Sequence, residues 1–167
     1  MEVSFRRLEA ADAPIYKVIR LEGLRVASRA FLSTAEEESA LTLEAYSARL
    51  NTAENATIGA FSNGALVGIG TILRETRTRI RHRGEIVGMY VTPSARGTGV
   101  ANGIMDRLIA HARALELRWV GLELEAKNTP ARRLYERFGF REYGQKPRAQ
   151  LHDGAWLDTT LMVLLLD

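Results

Sequence analysis

The apolar positions of this chain change period repeatedly, and each change marks an element. Val3 to Leu8 reads as a first strand. Asp12 is a suitable N-cap with Pro14 just inside the following helix, where Ile15, Val18, Leu21 and Leu24 form an apolar stripe. Phe31-Leu32-Ser33-Thr34 breaks that pattern, and a second helical region sets Leu43, Tyr46 and Leu50 on one face. Thr57 to Phe61 and Leu66 to Leu73 read as strands joined at Asn63-Gly64, a dipeptide suited to a tight hairpin. Glu85 to Val91 is a central strand. Val100, Ile104, Met105, Leu108, Ala112 and Leu115 then recur with helical period. Trp119 to Leu124 is the next strand, and a short helix follows with Pro130 near its start and Gly139 at its end. Phe140 to Tyr143 and Trp156 to Leu165 supply the last strands. The order β-α-α-β-β-β-α-β-α-β-β predicts an α/β fold with a mixed sheet and helices on both faces. No linker or repeat divides it, so residues 1–167 are expected to form a single domain.

Composition narrows the chemistry. With 46% apolar and 26% charged residues the chain resembles an ordinary globular protein able to bury a core. A net charge of +3 suits an anionic ligand without requiring nucleic acid. Absence of cysteine excludes disulfides, thiolate metal sites and a cysteine acyl-enzyme. His82, His111 and His152 lack metal-ligand spacing, so no metal is expected. The longest apolar run, Leu161 to Leu166, is too short to span a bilayer, and no signal peptide is evident. A cytoplasmic protein that does not use a membrane is the expectation.

The most informative stretch is Tyr90 to Ala101, YVTPSARGTGVA. An apolar strand ends at Thr92-Pro93, crosses Arg96-Gly97-Thr98-Gly99, and a helix begins at once. The first N–H groups of a helix have no intrahelical partner and sit at the positive end of its dipole. Glycines there let a pyrophosphate approach the backbone. Gly97-x-Gly99-x-x-x-Gly103, with Glu123 and Glu125 at the end of the next strand, is also close to a dinucleotide fingerprint. Thr92 to Arg96 intervene before the first glycine, however, and too little chain follows for a second nucleotide-binding half.

The loop resembles the R/Q-x-x-G-x-G/A signature of the GNAT N-acetyltransferases, matched by Arg96, Gly99 and Ala101. Asn128 to Phe140 is similar to that family's N-x-x-A-x-x-L-Y-x-x-x-G-F segment. The resemblance implies a mostly antiparallel sheet of about seven strands and acetyl-CoA as co-substrate. It places Arg96, Gly97, Thr98, Gly99, Val100 and Ala101 against the phosphates, with Met89, Tyr90 and Val91 meeting the pantetheine and thioester through their backbone. Asn128 would contact the pantetheine arm, though Asn-Thr-Pro is equally a helix start. Tyr135 would donate to the departing sulfur. Glu85 stands where one branch of the family places a glutamate base, and a solvent-facing strand glutamate is the competing reading.

The expected reaction is direct attack of a primary amine, on a small molecule, amino acid or peptide, upon acetyl-CoA. By family position the acceptor would meet Phe31, Glu37, Tyr46 and Trp156, with Glu36 and Glu38 beside them, while Arg148 could bind a substrate carboxylate or equally pair with Asp153. Two other functions fit parts of the sequence. One is a non-catalytic acyl-CoA-binding regulatory module. The other is a nucleic-acid binder using the arginines from Arg74 to Arg83, disfavoured because no aromatics are interleaved for base stacking. A homodimer is compatible with the sequence and not required by it.

Overall fold

In the computed structural model, which describes residues 2–167, the hairpin at Asn63-Gly64 joins β2 (Ala56–Ser62) to β3 (Ala65–Arg74). Both turn residues have positive φ, 50° and 79°, as a turn matching strand twist requires. With β1 (Val3–Arg7), β4 (Arg83–Val91), β5 (Trp119–Glu125), β6 (Arg141–His152) and β7 (Ala155–Leu165) they form one sheet of seven strands. Its order is β1-β2-β3-β4-β5-β7-β6, and β4–β5 is the parallel pair. The arginine-rich segment is a solvated connection between β3 and β4 with a short 3₁₀ turn at Thr78–Ile80.

Helices cover both faces. On one, α4 (Val100–Ala114) buries Val100, Ile104, Met105, Leu108 and Ala112 against Ile72, Ile86, Val120, Leu122 and Met162. Side chains buried this completely contribute roughly 1.5–3 kcal/mol each. α5 (Thr129–Arg137) joins the same core through Leu134 and Tyr135. On the other face, α1 (Ala13–Val26) and α3 (Leu43–Leu50) enclose Ile69 and Tyr90.

Three expectations are corrected. The stripe of α1 is rotated from the predicted one: Tyr16, Ile19, Gly23 and Leu24 are buried, while Ile15 and Val18 face outward at 41% and 68% exposure. Tyr16 is drawn inward by edge-on contact with Tyr46, and at Gly23 an added Cβ would lie 3.0 Å from the Tyr90 ring. Small and aromatic residues thus define the buried face. Secondly, the strand expected over Phe140–Tyr143 continues to His152, with register shifts at Glu142/Gly144 and Lys146/Gln150 accommodating the turn residues. The second helical region is also divided, into α2 (Ala35–Ser39) and α3.

Candidate active site

The site begins where the sheet opens. β4 and β5 pair from Arg83↔Trp119 to Ile86↔Leu122 and then separate. At the same level β4 bulges against β3, since Val87 faces Thr71 and Tyr90 faces Ile69, leaving Gly88 and Met89 opposite Gly70. Gly88 has φ +64°, and an added Cβ would meet the Arg20 Nη1 atom at 3.1 Å. Past Ile86, the β4 edge turned towards β5 therefore has backbone groups free of ladder partners in that strand.

On the α4 side, beyond the end of β4, lies a cavity of about 270 Å³. Val91, Arg96, Gly97, Gly99, Val100 and Ala101 line it, together with Arg137. Gly97 and Gly99 have φ of 75° and 86°, and nothing stands within 4 Å of where their Cβ atoms would be. Their backbone faces open space at the N-terminus of a 15-residue helix, whose next N–H, from Gly103, is already bonded to Gly99. Two arginines, a helix dipole and unpaired N–H groups make an anion-binding surface. Arg96 also donates from Nε to the Val91 carbonyl at 3.1 Å, tying the loop to its strand. Thr98 is turned away from that cavity lining and donates to the Ala95 carbonyl at 2.5 Å. Met89 packs beside the core under α4, and Tyr90 is buried on the opposite face, donating to Glu22 at 2.8 Å. Burial and that acceptor push the Tyr90 phenol up to about 12.

Tyr135 is 7% exposed, with its ring 6.0 Å from Phe140. Burial raises its pKa to about 12, so it is a neutral donor. Asn128 caps α5, its side-chain oxygen accepting from the Ala131 N–H at 3.2 Å. The residue also lines a separate hollow of about 210 Å³ shared with Ser28, Arg29 and Glu125.

The opposite face carries a larger cleft, about 400 Å³, at the same strand opening. Val87 and Gly88 form its floor; Phe31 and Leu32 stand on one side and Glu123, Glu125, Lys146 and Thr159 on the other. Glu85 lies just behind, over Gly121, where an added Cβ would be 2.8 Å from its carboxylate. Burial first, then the charge of Glu123, hold the Glu85 carboxyl above its ordinary range.

Of the expected acceptor contacts, the structure brings Phe31 to this cleft and not the others. Glu37 caps its own helix, accepting from Thr34 N–H at 2.8 Å. Tyr46 is fully buried between α1 and α3, its hydroxyl donating to Glu38 at 2.8 Å. Trp156 is 57% exposed on the β6–β7 hairpin, whereas its neighbours Leu157 and Thr159 turn inward. Arg148 stacks over Trp156 at 6.0 Å, and its backbone N–H bonds Asp158. Five charged lining residues, Arg20, Arg29, Glu123, Glu125 and Lys146, were not foreseen as acceptor contacts. Glu123 pairs with Lys146, and Glu125 with Arg29 at 2.6 Å. A charged residue in the buried stripe of α1, Arg20, was the available signal for that wall.

A model of the family described as Acetyltransferase (GNAT) family matches residues 21–140. The chain belongs to that family. This GNAT protein is 31% identical over 141 residues to the uncharacterized N-acetyltransferase YsnE of Bacillus subtilis, covering 80% of this chain and 88% of that protein. It is 34% identical over 79 residues to the L-methionine sulfoximine/L-methionine sulfone acetyltransferase of Salmonella typhimurium. That match covers 47% of this chain and 46% of the relative, about half the length of each. Among solved structures, the GNAT superfamily phosphinothricin acetyltransferase of Sinorhizobium meliloti, in complex with acetyl-CoA, superposes with a TM-score of 0.83. The two are 24% identical, with 99% of this chain and 89% of that one covered, which establishes a common fold.

Proposed function

We propose that this protein transfers an acetyl group from acetyl-CoA to the primary amine of a small molecule, amino acid or peptide. The observation that carries the reading is the separation of β4 from β5 past Ile86, with a cationic glycine loop beyond the end of β4 and a charged cleft over Val87 and Gly88. The co-substrate fits on physical grounds. Gly97 and Gly99 present bare backbone, Arg96 and Arg137 supply positive charge, and the unpaired β4 edge offers hydrogen bonds to an extended amide chain. Acetyl-CoA supplies an activated acyl group with a thiol as leaving group.

The acceptor nitrogen attacks the thioester carbonyl carbon, a C–N bond forms as the C–S bond breaks, the nitrogen gives up a proton, and the departing thiolate takes up one from solvent to leave as the thiol. Glu85, its pKa raised, accepts from the amine through water. Tyr135, kept neutral by burial, donates a hydrogen bond to the departing sulfur. Support for a small acceptor comes from the size of the cleft and from the Salmonella relative, named for methionine derivatives. The test is thiol release from acetyl-CoA across a panel of amines, run beside thermal unfolding with acetyl-CoA and with NADPH. Amine-dependent thiol release supports transfer. Stabilisation by acetyl-CoA with no release for any amine would favour a binding module, and stabilisation by NADPH alone would overturn the reading.

A further inference from the structure

Arg20 projects from α1 into the wall of the cleft, and its guanidinium is held more firmly than the other cations there. Its side chain is 11% exposed, against 51% for both Arg29 and Lys146. Nε and Nη2 both donate to Glu38, at 3.3 and 2.5 Å, a side-on pairing with one carboxylate. Glu38, 2% exposed, is fixed in turn by the Tyr46 hydroxyl at 2.8 Å and by Arg49 at 3.2 Å. Phe31 packs on the guanidinium at 5.0 Å. These contacts use the outer edge of the fork and leave Nη1, which has no hydrogen bond among the described residues. Nη1 stands against Gly88, where a Cβ would approach to 3.1 Å, so the glycine keeps it uncovered at the bulge.

We propose that Arg20 Nη1 is the receptor for an anionic group on the acceptor, a carboxylate, so that the preferred acceptors are amino-carboxylates and not simple amines. The proposal rests on the transferase reading above and assigns the substrate class of the same cleft. A planar donor locked on one side by Glu38 offers its remaining N–H groups in a fixed direction, and little rotamer freedom is left to lose on binding. Across the cleft Glu123, whose Oε1 is held by Lys146, leaves its second carboxylate oxygen for an ammonium group, and Phe31, Leu32 and Leu124 offer apolar contact to a side chain. Glu38 is a positioning residue: it aims Arg20 and does not itself line the cleft.

The experiment compares L-leucine, L-methionine and L-phenylalanine with their carboxamides, which keep the amine and lose the anion. kcat/KM is measured by thiol release, and binding by calorimetry in the presence of CoA. Wild type is expected to favour each acid, and the preference is expected to fall roughly 10–100-fold in Arg20→Met/Glu38→Gln, which removes both charges together. Taking the ratio of the two proteins cancels the different basicity of acid and amide. Arg20→Lys, measured alongside, retains charge without the fork and is expected to restore part of the preference. A double variant that folds and keeps the wild-type acid preference overturns the proposal. So does a wild type that acetylates acids and amides alike, an outcome that leaves the transferase reading standing. If no amine releases thiol yet the acids bind and the double variant loses that binding, the anion site stands and the transferase reading falls. Absence of both turnover and acid binding overturns both.

Discussion

Replacing Glu38 by glutamine isolates the electrostatic anchor between α1, α2 and α3. Burial alone would raise this carboxyl, but Arg20, Tyr46 and Arg49 outweigh it and bring the pKa from its ordinary 4.5 to about 2. At about 1.36 kcal/mol per unit, that displacement corresponds to about 3 kcal/mol of differential interaction. Arg49 is 41% exposed, so screening reduces the share it contributes, and about 2–3 kcal/mol is expected on neutralisation. In a domain of this length the midpoint should fall by roughly 5–10 °C. Because the folded value is lowered, the stabilisation is complete above the ordinary carboxylate pKa and is lost as pH falls through about 2. Thermal unfolding followed by circular dichroism should therefore give a constant wild-type-minus-variant difference from pH 7 to 5. That difference should shrink below about pH 4.5 and vanish near 2. A midpoint within 1 °C of wild type at pH 7, or a difference that grows on acidification, would refute the reasoning.

Three further outcomes are expected. Tyr135→Phe should lower kcat roughly 100-fold while changing the acetyl-CoA Kd less than about threefold, since the phenol acts on developing charge and its ring fills the core; unchanged kcat would remove it from catalysis. Arg137→Ala should weaken acetyl-CoA binding about tenfold and flatten its salt dependence, measured by titration, while kcat at saturation is kept. Glu123→Gln removes a negative charge that raises Glu85 and releases Lys146 from its ion pair, so the acidic limb of kcat/KM should move to lower pH. A limb that stays in place would show that Glu85 is not the base.

What the sequence made legible was mostly local. Asn63-Gly64 encodes its turn through backbone freedom at two adjacent residues, and Gly97 and Gly99 mark a helix start that must present bare backbone. The apolar period of α4 fixed its buried face because nearly all its inward residues are aliphatic. The same method misphased α1, where Gly23 is buried for its small size and Arg20 for its partner. Glu36, Glu37 and Glu38 are identical in type, and only the phase of a five-residue helix sends the third inward to Arg20. The cleft was the least legible part, for a related reason. Its walls come from α1, the segment after it, β4, β5 and the β6–β7 hairpin, far apart in sequence. A cation such as Lys146 or an acid such as Glu125 acquires its meaning from a partner more than 20 residues away. The glycine loop can be recognised alone because backbone atoms do its work, and every residue supplies those. Acceptor recognition depends on side chains converging across the sheet, so it becomes readable only when the fold has placed them.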